Sequence, residues 1–99
     1  MNLYLSEMMD KPSVIRGYCL CCGRHPTTQH HCVPRSQGGV NGPTLSLCGH
    51  GTFGCHGLAE SKELHFRYRD GWEFYLSPKP VKYETTLGQT KGWMPCRTK

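Results

Sequence analysis

Residues 28–39 read TQHHCVPRSQGG. The segment closes in turn chemistry, from Pro34 to Gly39, and the residues ahead of it favour extended backbone, so a strand is expected over 27–33. Neighbouring side chains on a strand point to opposite faces. His30 and His31 therefore cannot readily serve one ligand in the way that an i, i+4 helical pair can, and the adjacent histidines are expected to do two different jobs.

Working outward, GYCLCCGRHP (17–26) places Cys19 and Cys22 in a C-x-x-C ahead of a glycine, the composition of a tight knuckle whose backbone amides approach sulfur. On the other side, PRSQGGVNGP (34–43) is turn chemistry throughout, and TLSLC (44–48) reads as a second short strand. Cys48 and Cys55 then bracket the glycine loop GHGTFG. Tetrahedral zinc takes four such ligands, and two knuckles are the usual way of supplying them, so Cys19, Cys22, Cys48 and Cys55 are the expected structural zinc ligands. The second pair is the weaker signal, because six residues separate its members where two to four are common. Cys21, Cys32 and Cys96 are left spare. The competing description treats all seven cysteines as small buried hydrophobes.

Composition narrows the class. A chain of 99 residues is one small domain in which apolar burial alone gives marginal stability, and an odd count of seven cysteines argues against a closed disulfide framework. The opening MNLYLSEMMDKP has neither a secretory h-region nor a membrane span, which points to a reducing cytoplasm, where clustered cysteines bind metal. A formal charge of +5 mildly favours a polyanionic partner.

Four further segments complete the reading. Residues 1–17 form a leader with a helical turn at LSEMMD that Pro12 stops. CHGLAESKEL has helix-forming residues from about His56 to Leu64, and HFRYRDGWEFYL has two aromatic-rich runs flanking Asp70-Gly71, a hairpin with a two-residue turn. Arg67 and Arg69 interleave with its aromatics, which suits a nucleic-acid face as well as a half-buried hairpin. Residues 77–99 are rich in Pro, Gly and Lys and are assigned no regular structure, with Trp93 pinning them to the body. The expected domain boundaries are thus 1–17, 18–76 and 77–99.

The ordered series C-x-x-C, HHCVPRSQGG, strand, LC and CH resembles the HNH endonucleases, and LCGHGTFGCHG (47–57) is similar to the variant found in small bacteriophage HNH proteins. The similarity spans residues 19–60. It implies an α+β fold: a small zinc-stabilised ββα-metal (His-Me finger) domain, here with an additional C-terminal β-hairpin. By that resemblance His30 and His56 are ligands of one catalytic divalent cation (Mg²⁺, Mn²⁺, Ni²⁺, Co²⁺ or Zn²⁺) and His31 is the general base. The resemblance also implies double-stranded DNA as the partner, phage packaging or recombination proteins as further partners, and a host-cell cytoplasmic setting. The asparagine that braces the family's base-bearing loop has no clear counterpart. Pro43 falls at its position and Asn41 lies two residues early, so either Asn41 braces the loop or a proline-rigidified turn replaces it.

The chemistry fits these residue types. Phosphodiester hydrolysis needs a base for water, which an imidazole suits at neutral pH, and a Lewis acid for the charge on phosphorus and on the departing 3′ oxygen. Glu60, four residues after His56, shares its helical face and completes the metal shell, while Arg35 offers a planar fork to the scissile phosphate. His65, nine residues after His56, points away from a straight helix's ligand face. The alternative is a non-catalytic zinc-stabilised DNA-binding or adaptor module, which would leave the paired histidines and His56 without a task. Deaminase H-x-E with P-C-x-x-C and metalloprotease H-E-x-x-H are both absent.

Overall fold

The computed structural model describes residues 7–34 and 41–97. Two antiparallel sheets flank one short helix. Strands β1 (Thr27–His31) and β2 (Thr44–Cys48) form the first sheet, in a register that sets His30 opposite Leu45 and Thr27 opposite Cys48. Helix α1 (Gly54–Glu60) follows and packs against both strands and against β3 (Leu64–Tyr68). β3, β4 (Trp72–Leu76) and β5 (Trp93–Pro95) make the second sheet in sequential order, with α2 (Tyr83–Leu87) between its last two strands.

β2 is the centre of the first layer. Leu45 and Leu47 are fully buried, and the edge of β2 away from β1 is covered by backbone bonds. The Val14 amide donates to the Thr44 carbonyl at 3.0 Å, the Ser46 amide to the Val14 carbonyl at 3.2 Å, and the Leu20 amide to the Ser46 carbonyl at 3.0 Å. The last of these fixes the C-x-x-C knuckle two residues ahead of Cys48. On the opposite edge Ser46 Oγ bonds to Gln29 Oε1, tying β1 to β2 through side chains as well. Cys19 and Cys48 lie inside the apolar cluster that Leu20, Leu64, Phe66 and Trp72 also build.

Several expectations need correction. The described part of the leader packs on the body, with Met8 buried in the core and the Trp72 indole donating to the Pro12 carbonyl at 2.8 Å. The turn expected there is present over residues 7–10 in the part described, closed by the Lys11 amide on the Met8 carbonyl at 3.1 Å. α1 ends at Glu60 rather than near Leu64, as Lys62 adopts φ +65° and turns the chain into β3. Three residues rather than two connect β3 to β4, because Tyr68 pairs with Trp72 and the Arg69 amide donates to the Gly71 carbonyl. The tail, assigned no regular structure, supplies both α2 and β5. Trp93 does pin it: its indole donates to the Thr86 carbonyl at 3.2 Å and the Arg67 guanidinium sits 4.3 Å over its ring. Among the described residues no helix is long and apolar enough to cross a membrane.

Candidate metal centres

Among the described residues two groups of ligand-type side chains converge, one of four cysteines and one of two histidines and a carboxylate. The thiols of Cys19, Cys22, Cys48 and Cys55 all lie within 4.8 Å of one another. Cys19 and Cys22 come from a knuckle closed by the Gly23 amide on the Cys19 carbonyl at 2.9 Å, and Gly23 takes the φ of +81° that this turn demands. Cys48 ends β2 and Cys55 opens α1. Their six-residue separation is absorbed by a miniature hairpin in which His50 and Phe53 exchange backbone bonds at 3.1 and 3.0 Å. Gly49 and Gly54 make the closure feasible. A Cβ on Gly49 would sit 2.2 Å from the Phe53 carbonyl oxygen, and one on Gly54 would sit 2.5 Å from that of Cys48.

The spacing and the surroundings of these thiols suit a tetrahedral cation. Two sulfurs each about 2.3 Å from one ion lie about 3.8 Å apart, and Cys22 Sγ is 3.5 Å from Cys48 Sγ and 3.8 Å from Cys55 Sγ. Backbone amides of Cys21 and Cys55 point at the sulfurs of Cys19 and Cys48, each at 3.4 Å, where they stabilise thiolate charge. Hydrogen bonding from the thiol of Cys21, then from that of Cys55, pulls the Cys19 thiol far below its ordinary pKa. Bonding to Cys19 in turn pushes Cys21 and Cys55 up. The four converging thiols can together hold a metal such as zinc.

The second group lies across α1. Thr28 and His30 face the helix from β1, two residues apart on one face of the strand. His56 and Glu60 meet them from one face of α1. His30 Nδ1, His56 Nε2 and Glu60 Oε1 converge, with Oε1 3.4 Å from the first nitrogen and 3.3 Å from the second. These separations are long for hydrogen bonds. They match two donor atoms each about 2.1 Å from a shared tetrahedral ion, which lie about 3.4 Å apart. His30 Nδ1 is fully buried and has no hydrogen-bond partner among the described residues, a cost that ligation would remove. Burial lowers the His30 pKa to about 4, against the opposing pull of Glu60, so the imidazole is neutral and able to ligate at neutral pH.

The remaining expected residues divide. His31, half-buried at the end of β1, lines a groove of about 930 Å³ together with His30, His56 and Glu60. Arg35 lies outside the described residues. Asn41 is exposed and does not line that groove, whereas Pro43 is buried and its carbonyl accepts the Cys32 amide at 3.1 Å, closing the chain just beyond His31. His65 is on β3, where its Nε2 donates to the Lys62 carbonyl at 2.7 Å, outside the ligand group. Sequence reasoning missed Lys62 and Lys82, which bring positive charge to the groove, and Thr28, whose hydroxyl contacts His56. Strand alternation from His30 was the available signal for Thr28. Nothing in local sequence marks the two lysines, which reach the groove from the turn after α1 and from the residue before α2.

Fold and sites together define a small mixed α/β protein with two antiparallel sheets and a cysteine cluster able to bind a metal. No family model matches the chain, and no solved structure does. Over 71 residues, 70% of this chain and 71% of the relative, it is 32% identical to the uncharacterized protein YisB of Bacillus subtilis (strain 168), and it belongs to the family of that protein.

Proposed function

We propose that the protein is a metal-dependent endonuclease that hydrolyses DNA phosphodiester bonds at the histidine groove. The observation that supports this reading is the convergence of His30 Nδ1, His56 Nε2 and Glu60 Oε1 in a groove that His31 also lines. A divalent cation held by those three atoms supplies Lewis acidity toward a phosphate oxygen and the departing 3′ oxygen. His31 takes the proton from the attacking water, and its place at the last position of β1 leaves its ring free of the ligand set. Lys62 and Lys82 draw the phosphodiester into the groove. Glu60 and Glu84 lie among the same walls, so the groove is not uniformly basic, and a cation adds to its attraction for a polyanion. The four-cysteine site holds β2 and the start of α1 in register and takes no part in the chemistry.

The test is conversion of supercoiled plasmid by zinc-loaded protein across a panel of Mg²⁺, Mn²⁺, Co²⁺, Ni²⁺ and added Zn²⁺. His31→Ala is expected to retain both metal sites and DNA affinity while losing ~10²- to 10⁴-fold in cleavage rate, the usual worth of a positioned base. A wild type that binds DNA but never nicks it would instead make the protein a zinc-stabilised binding module. A fully active His31→Ala would remove His31 from the mechanism.

A further inference from the structure

We propose that Thr28 is a positioning residue whose hydroxyl fixes the His56 imidazole as its Nδ1–H tautomer, leaving the Nε2 lone pair for the cation that His30, His56 and Glu60 share. This inference rests on reading those three residues as a cation site.

The Thr28 hydroxyl has one proton and two neighbours to share it between. Thr28 Oγ1 lies 2.7 Å from the Gly49 carbonyl oxygen and 2.5 Å from His56 Nδ1. A carbonyl can only accept, so the single hydroxyl proton of Thr28 goes to Gly49. Toward His56 the hydroxyl then has only lone pairs to offer, and Nδ1 must be the donor. A neutral imidazole with its proton on Nδ1 carries its lone pair on Nε2, the nitrogen 3.3 Å from Glu60 Oε1. With the other tautomer, an N–H bond would point into the ligand cluster and no lone pair would face the ion.

Partners of this kind set ring orientation and donor strength in metal sites. The Thr28 contact has an added feature. Gly49 follows Cys48 and His56 follows Cys55, so the hydroxyl bridges the two ends of the loop that joins the thiol ligands. The acceptor belongs to Gly49, at a φ of +80° and with Phe53 and Gly54 so close that no Cβ would fit. The ring of His56 is therefore aimed from the cysteine side of the molecule.

The test uses full-length zinc-loaded protein with Thr28→Val, which keeps the shape and removes the hydroxyl, and Thr28→Ser, which keeps the hydroxyl. Calorimetric titration with Co²⁺ alone is expected to show 10- to 100-fold weaker binding of the second ion in Thr28→Val and near wild-type binding in Thr28→Ser. Long-range ¹H–¹⁵N NMR without a second ion, at mildly alkaline pH, is expected to show His56 protonated on Nδ1 in wild type and Thr28→Ser, with the Nε2–H form emerging in Thr28→Val. Its amide spectrum also reports whether the valine variant is folded. A wild type that takes no second ion overturns the cation site and this inference with it. A wild type that binds the ion no better than a folded Thr28→Val, or that carries the His56 proton on Nε2, overturns this inference alone.

Discussion

His65 shows how one buried side chain leaves a signature in solution. Its ring is enclosed by β3 and α2, with the Tyr83 ring centroid 6.1 Å away and its Nε2–H committed to the Lys62 carbonyl. Burial lowers its pKa below the ordinary 6.5, with the nearby Lys62 charge adding to that shift and the carbonyl bond opposing it. The unfolded chain therefore binds a proton at higher pH than the folded one, and stability falls as pH drops below about 6.5 toward the folded pKa. His65→Gln keeps an amide donor for Lys62 and has no charge to gain. Denaturant midpoints measured from about pH 7.5 down to pH 5 should fall less steeply for His65→Gln than for wild type. Parallel curves would assign the acid sensitivity to other groups.

At the scale of elements, the loop between Cys48 and Cys55 carries the sharpest constraint. Gly49→Ala would force a Cβ to 2.2 Å from the Phe53 carbonyl oxygen at a φ of +80°, while Gly51 has none of the described residues within 4 Å of its would-be Cβ. Gly49→Ala is therefore expected to cost at least about 2 kcal/mol and to weaken zinc retention, with Gly51→Ala close to neutral. Thermal melts with metal quantification check both, and equal effects would contradict the geometry. Elements with a strong period were legible in the sequence. β2 occupies the expected residues 44–48, and the aromatic hairpin lies where its alternation indicated. β5 and α2 were not legible, because three residues ending in proline and a five-residue helix are too short to display any period. Their positions are set by long-range contacts, Trp93 against Thr86 and Arg67 and the Cys96 amide on the Trp72 carbonyl at 2.9 Å. The histidine ligand group was legible in its residues but not in its support, since a strand threonine carries no mark of the hydroxyl geometry it adopts.

For the molecule as a whole, the sheets of two and three strands and helices of seven and five residues enclose a thin core, and two of its buried members, Cys19 and Cys48, are thiols of the cysteine cluster. A bound ion there acts on the core itself. Stripping zinc with a strong chelator under reducing conditions is expected to abolish cooperative unfolding, since binding of structural zinc contributes on the order of 10 kcal/mol in small domains. Near-ultraviolet circular dichroism followed against zinc content measures this, and a zinc-free protein with an unchanged melt would show that apolar packing suffices.

One stretch of nine residues, from Cys48 to His56, feeds both ligand groups, contributing two thiols to one and an imidazole to the other. Surface loops ordinarily absorb insertions and deletions at little cost. Here each added residue would break the His50–Phe53 closure or shift α1 along its axis, and a one-residue slip turns a helical side chain by about 100°. His56 and Glu60 would swing out of reach of His30 by the same event that separates the thiols. The glycine-rich segment that looks most permissive in the chain is thus the one whose length is least free to drift.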